Sequence, residues 1–348
     1  MPHPQRLLFV SHEMTLSGAP IQLAYLVQWL HAHRWSTTVL APEPGPLEDM
    51  LSGIEIIYEP TLLRDPTYAA LRGHVPHYDL VIANTIATWQ AVQVAQLEKV
   101  PVIWYVHETQ VGRELMKIVH MIEPSLEIAD VVVTPTAATA RAYSAFRGKP
   151  IDVIPYAIPA VKARRRTRAE RITFAVIGTY ELRKGQDVFV EAVRQLPDDV
   201  RANASFKLAG RPLDESFSTE LRRVPNVELL DSLGHDEAMQ LLADTDVLVC
   251  ASRDETMPIV LLEAMSLAKP IICTRVGGVE EWMRDGENAI LVPPTDARAL
   301  AGAIELVARD AKLRKKLGAH AHKTFKRHFR LSRYAKQFAA LIKKTLKP

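Results

Sequence analysis

Cysteine is nearly missing from this chain. Only Cys250 and Cys273 occur in 348 residues, each inside an apolar run, VLVCAS and PIICT, that reads as a buried strand. Two such thiols make no disulfide framework, so a reducing compartment is expected. Long apolar runs are missing too, and the opening MPHPQRLLFVSHEM passes straight into a short strand-like segment. Neither a membrane span nor a secretory leader is therefore expected, and the expected location is cytoplasmic. There are no short-period repeats and no low-complexity segments. Acidic residues are absent from Ala311 to Pro348, where 13 of the 43 Lys and Arg lie. The net charge of +3 thus conceals a basic tail on an acidic body.

What is present is an alternation. The apolar runs RLLFVS, TTVLA, IEIIYE, YDLVIAN, VPVIWYV, DVVVTP and IDVIPY read as strands, with helical stretches between several of them. APIQLAYLVQWLHAH has Ile21, Ala24, Val27 and Leu30 at helical spacing, and Pro20 suits a first turn. Then AIPAVKARRRTRAER breaks the pattern with a proline near its start and six basic residues, and reads as a linker. The alternation resumes with ITFAVIG, SFKLAG, VELL, DVLVCAS, PIICT and NAILVPP. Strand, helix, strand in that order implies parallel sheets covered by helices. The expectation is α/β, two doubly wound domains meeting near residues 160–170 with a cleft between them, a size that suits the chain length.

Open parallel sheets bind ligands beyond the carboxyl ends of their strands, so the residues that follow each run are the informative ones. After the first run, VSHEMTLSGAP sets Gly18 before a helix, where backbone can approach an anion; a plain turn glycine is the competing reading. VIWYVHE ends on His107, able to bond a substrate hydroxyl or carry a proton, or merely held by local backbone. FAVIGTYELRKG brings Arg183, Lys184 and Gly185 to a helix start, either a phosphate clamp or a solvated basic loop. TRVGGVEEWM offers the N–H groups of Gly277 and Gly278 ahead of a helix, with Glu280 and Glu281 favouring its positive end. In SRDETMPIVLLEAMSLAKP, Pro258 is expected in a first helical turn, Glu255 in the loop before it and Glu263 near the second turn. A carboxylate can take two hydrogen bonds from a vicinal diol such as a ribose. The competing reading is one cap and one surface residue, but IVLLEAM argues for burial of Glu263, which is costly without a partner.

Together these segments resemble the retaining glycosyltransferases of the large GT4 family, with GT-B architecture. Glu255 and Glu263 stand in its E-x7-E pattern, followed by a strand and a Gly-Gly loop; GTYELRKG is similar to its donor-phosphate loop and VIWYVHE to the strand that delivers an active-site histidine. SHEMTLSGAP resembles its N-terminal glycine loop, with Ser17-Gly18 where two glycines are common, and VIPYAI the segment before the linker. Thr179 stands where the family often has arginine, which leaves Arg183 to supply that cation. The resemblance implies residues 1–160 as an acceptor-binding domain, 161–325 as a nucleotide-sugar domain, and 326–348 as a basic helix crossing back to the first. It implies a hexose-type transfer from a UDP-sugar, or second a GDP-sugar. Lys184, Arg183, Gly277 and Gly278 would face the diphosphate, Glu263 the ribose and Glu255 the donor sugar, with Gly18 and His107 contributed by the other domain. Glu255, His107 and Lys184 would be the catalytic set.

No metal is expected, because fixed cations and N–H groups can stabilise the departing diphosphate. Asp244-Thr245-Asp246 mimics a metal-binding DxD but reads as a turn into a strand, and His31/His33 and His320/His322 are two apart on helices and share no face. Two other readings stay open: another GT-B enzyme such as a sugar-nucleotide epimerase, and a non-catalytic binder using the tail on nucleic acid. The tail lacks interleaved aromatics, so nucleic acid is not expected as a partner. Its stripe of Leu331, Tyr334, Phe338, Leu341 and Ile342, with Ser332 as cap, is expected to pack. Its bases are expected either to be solvated or to meet the anionic inner face of the plasma membrane.

Overall fold

A computed structural model describes residues 5–162, 170–222, 225–230 and 232–347; the arginine-rich part of the expected linker, 163–169, lies outside the described residues. The chain forms two compact units. One comprises Met1–Ala157 with Leu331–Pro348, the other Ile158–Arg330. The division falls a few residues before the 160/161 position expected from the sequence.

The first unit carries seven strands: β1 (Arg6–Val10), β2 (Ser36–Ala41), β3 (Glu55–Tyr58), β4 (Leu80–Asn84), β5 (Val102–Tyr105), β6 (Val131–Thr134) and β7 (Ile151–Val153). They form one parallel sheet in the order β3-β2-β1-β4-β5-β6-β7. Parallel strands are covered on both faces, which is why they read as unbroken apolar runs; every residue of β4 and β5 is buried. The helix Gly18–Ala32 turns Leu23, Ala24, Leu26, Val27 and Leu30 inward, with Ser17 at its N-cap and Pro20 in its first turn.

The last helix, Leu331–Thr345, belongs to this unit. Tyr334 donates its hydroxyl to the Gln22 carbonyl at 3.3 Å, and the Phe338 ring lies 5.0 Å from that of Tyr105. The same Gln22 side chain bonds both the N–H and the C=O of Ala157, at 3.0 and 2.9 Å, where the chain leaves the unit. Tyr334, Phe338, Leu341 and Ile342 are buried. Ser332, expected as the cap, sits inside the first turn instead, because the helix already begins at Leu331.

The second unit carries β8 (Ile172–Ile177), β9 (Ala204–Ala209), β10 (Val227–Leu230), β11 (Val247–Cys250), β12 (Ile271–Thr274) and β13 (Ile290–Val292). They form a parallel sheet in the order β10-β9-β8-β11-β12-β13. In its core Phe174 stacks on Phe206, and Phe189 meets Phe206 edge-on. Ile158 and Arg330, the entry and exit residues, are bridged side by side. In each sheet the winding reverses between two neighbouring strands: β1 and β4 in the first, β8 and β11 in the second. Those points leave a crevice at the carboxyl edge, since the loops that follow the two strands diverge.

Candidate active site

Three loops meet at the carboxyl edge of the second sheet, after β8, β11 and β12. The loop after β8 contains a short 3-10 turn, Leu182–Lys184, and closes on Gly185 at φ 70°. A Cβ there would lie 2.0 Å from the Ala251 carbonyl oxygen, so only glycine lets this loop approach the end of β11. Arg253 fixes the contact. Its guanidinium takes both carboxylate oxygens of Asp187 at 2.8 and 2.6 Å, and its N–H donates to the Arg183 carbonyl at 2.8 Å.

This lacing delivers two cations to one carboxylate. Glu255, 8% exposed, accepts from Lys184 Nζ at 2.5 Å and from Ser252 Oγ at 3.1 Å through Oε1. Its Oε2 is 3.5 Å from Arg183 Nη1. Arg183 is itself tethered to the Asp254 carbonyl at 3.1 Å and to Glu181 Oε1 at 2.8 Å. Glu181 in turn accepts the Thr179 hydroxyl at 2.9 Å. Thr179 therefore orients the carboxylate that anchors Arg183, at the place where an arginine was expected.

Gly277 lies at φ 50°, and a Cβ on it would fall 1.7 Å from the Glu255 carbonyl oxygen. Gly277 is thus required by the approach of the β12 loop to Glu255. One expectation fails here. The Gly278 N–H is spent on the Thr256 carbonyl at 2.9 Å, so it holds the loop in this structure and does not point at a phosphate. Pro258 caps the helix Ile259–Ser266 at its N-cap, one residue before the expected first turn, and Glu263 sits in the second turn. Glu263 is 7% exposed, and no described residue forms a hydrogen bond or ion pair with its side chain. Burial pushes its pKa up to about 7.

Gly18, expected just before a helix, is the first residue of the helix Gly18–Ala32 in the first unit. His107 follows β5 and is buried, with Nδ1 2.7 Å from the Tyr156 hydroxyl and Nε2 2.7 Å from Asn84 Oδ1. Burial holds its pKa well below the usual histidine value. Its ring nitrogens are engaged within the unit, so a ligand contact would displace Asn84 or Tyr156, and a neutral imidazole is not poised to donate a proton at pH 7. Asp244 ends the helix His235–Asp244, and Asp246 caps β8 by accepting the Thr173 N–H at 2.9 Å, which is the turn role. Among the described residues no cluster of His, Cys, Asp and Glu could hold a metal.

Comparison with known proteins assigns the chain to a family. The family described as Glycosyl transferases group 1 matches residues 158–324, and that described as Glycosyltransferase Family 4 matches residues 16–161. The chain belongs to the GT4-type glycosyltransferases. It is similar to the lipopolysaccharide core biosynthesis glycosyltransferase LpsE of Rhizobium meliloti, 31% identical over 171 residues, 47% of each chain. It is also similar to the N-acetyl-alpha-D-glucosaminyl L-malate synthase of Bacillus anthracis, 28% identical over 179 residues, 50% of this chain and 46% of that one. The matched stretches span less than half the length of these relatives. Among solved structures, HepE of Anabaena in complex with UDP-glucose superimposes with a TM-score of 0.86 at 18% identity, covering 98% of this chain and 100% of that one. WaaG, a glycosyltransferase of lipopolysaccharide biosynthesis, gives 0.76 at 17%, covering 97% and 99%. Likeness at that identity shows the fold, which is GT-B.

The candidate site includes residues that the sequence did not single out. Ser252 bonds Glu255, and the side chain of Gln186 is fully buried, donating Nε2 to the Thr179 carbonyl at 2.7 Å while Oε1 has no partner among the described residues. Neither lies in a recognisable pattern; the folded loops set Ser252 on Glu255 and Gln186 on Thr179.

Glu263 supplies a pH test. A carboxyl raised from 4.5 to about 7 favours the folded state most when protonated. Its contribution is fully present below pH 4.5 and is lost as pH rises through 7, a change of about 3 kcal/mol. Denaturant unfolding without nucleotide should show the wild type losing stability across this window relative to Glu263→Gln. Parallel curves for the two proteins would contradict the assignment.

Proposed function

We propose that the protein is a retaining hexosyltransferase, which moves a sugar from a nucleoside-diphosphate donor, UDP first and GDP second, to a hydroxyl acceptor. The observation that carries this reading is the pairing of Lys184 with buried Glu255 at the reversal point of the second sheet, followed in the next helix by a buried Glu263 with no partner among the described residues. Such a point is where doubly wound sheets bind nucleotides. A diphosphate there would compete with Glu255 for Lys184 Nζ, and Arg183 is tethered close by. Glu255, released, would take hydroxyls of the donor sugar. Glu263 would accept the ribose diol, which matches a carboxylate that has no protein donor.

The chemistry needs a departing diphosphate and an oxocarbenium-like sugar to be stabilised together. Preorganised cations do the first without proton transfer, and the reading needs no metal. His107 is proposed to serve the donor sugar as a neutral hydrogen-bonding group rather than as an acid. The relatives named in lipopolysaccharide synthesis support a glycan or glycolipid acceptor. UDP is favoured because HepE is solved with UDP-glucose.

No helix among the described residues is long and apolar enough to cross a membrane. The helix Ala311–His328 exposes Lys312, Lys315, Lys316, Lys323, Lys326 and Arg327 and contains no acid. We propose that this basic surface binds anionic lipid reversibly, each base contributing about 1 kcal/mol when close to the membrane.

Kinetics test the residue roles. Lys184→Ala should slow turnover by about a hundredfold, Glu255→Ala should abolish transfer, and Glu263→Ala should mainly raise the Michaelis constant for the donor. If Glu255→Ala alters only that constant, the roles of the two glutamates are wrong. For the surface, the protein should pellet with anionic vesicles at low salt and be released by added salt. Equal recovery in the supernatant with and without anionic lipid would remove the membrane contact.

A further inference from the structure

The reversal point that locates the nucleotide site has a counterpart in the first sheet, between β1 and β4. The parallel register runs from Leu7↔Leu80 to Val10↔Ala83. Two residues further along these strands come His12 and Thr85, and each keeps a buried polar atom, His12 Nδ1 and Thr85 Oγ1, that no described residue partners.

Thr85 is the stronger observation. Its backbone sits at φ 77° and ψ 161°, a region that is essentially glycine's, and β-branched residues are rare there. The conformation is over-determined. The Thr85 N–H donates to the Tyr105 carbonyl at 2.8 Å, and its own carbonyl accepts Trp104 Nε1 at 2.7 Å and Thr88 Oγ1 at 2.9 Å. The side chain is 0% exposed, yet its hydroxyl gains nothing from the protein. Glycine would avoid both the backbone strain and the unmet hydroxyl; threonine keeps a donor and acceptor fixed at the carboxyl edge.

His12 completes the pair. It lies near enough to His107 to disfavour protonation there, and His107 bonds Asn84, the neighbour of Thr85. Burial lowers the pKa of His12, against the opposing pull of Glu13, so the imidazole is neutral at pH 7. The carboxylate that the structure shows beside it is Glu13, whose Oε1 is 3.5 Å from His12 Nε2. Glu108 bonds the N–H of Ile86, the residue after Thr85, at 3.0 Å, and burial raises its pKa. A neutral imidazole and a hydroxyl next to the Glu13 carboxylate suit an uncharged hydroxyl and disfavour a phosphate.

We propose that His12 and Thr85 form a specificity-determining subsite that hydrogen-bonds an uncharged hydroxyl of the acceptor and discriminates against phosphorylated acceptors. This rests on the transferase reading above. Two binding measurements keep the two ideas apart. Calorimetry with UDP reports the donor site alone. Saturation-transfer NMR with methyl glucoside, galactoside and mannoside, and with the corresponding hexose 6-phosphates, reports the subsite. UDP should bind wild type, His12→Ala, Thr85→Gly and Thr85→Ser alike. A methyl hexoside should bind wild type at least about tenfold tighter than its phosphate, lose about tenfold in His12→Ala and Thr85→Gly, and be restored in Thr85→Ser. Thr85→Gly suits the backbone, so a loss there reports the hydroxyl and not misfolding. Normal UDP binding with no hexoside bound, with phosphates preferred, or with Thr85→Gly unaffected overturns the subsite and leaves the transferase reading standing. Failure of UDP to bind wild type overturns the transferase reading, and the subsite with it.

Discussion

A lysine held by a buried carboxylate organises the second unit. Lys184 and Glu255 come from loops 71 residues apart, and their 2.5 Å contact requires both loops to be fixed. Gly185 has to approach Ala251, Gly277 has to approach Glu255, and Arg253 has to bridge to Asp187. A buried ion pair is a weak source of stability, because desolvation offsets its attraction. Its better use is positional, since it keeps a flexible cation at one point where an incoming anion can take it over.

Both units solve the same topological problem. A doubly wound parallel sheet reverses its winding once, and the loops on either side of the reversal separate. In the second unit the reversal brings Lys184 and Glu255 to the carboxyl edge; in the first it brings His12 and Thr85 there. Unmet buried polar atoms occur after the strands that flank each reversal: Gln186 Oε1 in one unit, Thr85 Oγ1 and His12 Nδ1 in the other. Elsewhere the strands are buried and apolar, so the carboxyl edges are where the fold leaves room for chemistry.

The strands were legible because parallel strands are apolar on both faces: LVIAN and VIWY could be recognised without alternation. The E-x7-E pattern and the RKG loop were legible because they are local in sequence. Which side chains bond one another was not. Thr179, Glu181 and Arg183 stand two residues apart, yet residue type alone does not tell that they link into an anchor, and nothing tells that the Gly278 N–H turns to Thr256. Ser332 misled because a cap residue one position late looks like a cap. Thr85 escaped notice because backbone strain carries no composition signature at a β-branched residue.

The central claim is that Lys184 exchanges Glu255 for a diphosphate. Calorimetry with UDP and UMP on wild type, Lys184→Met and Glu255→Gln tests it directly. The account predicts that the second phosphate strengthens wild-type binding by about tenfold or more, the size of one charge-assisted hydrogen bond. That gain should vanish in Lys184→Met and persist or grow in Glu255→Gln, where the cation is no longer held. The same UDP-to-UMP ratio in Lys184→Met as in wild type would contradict it.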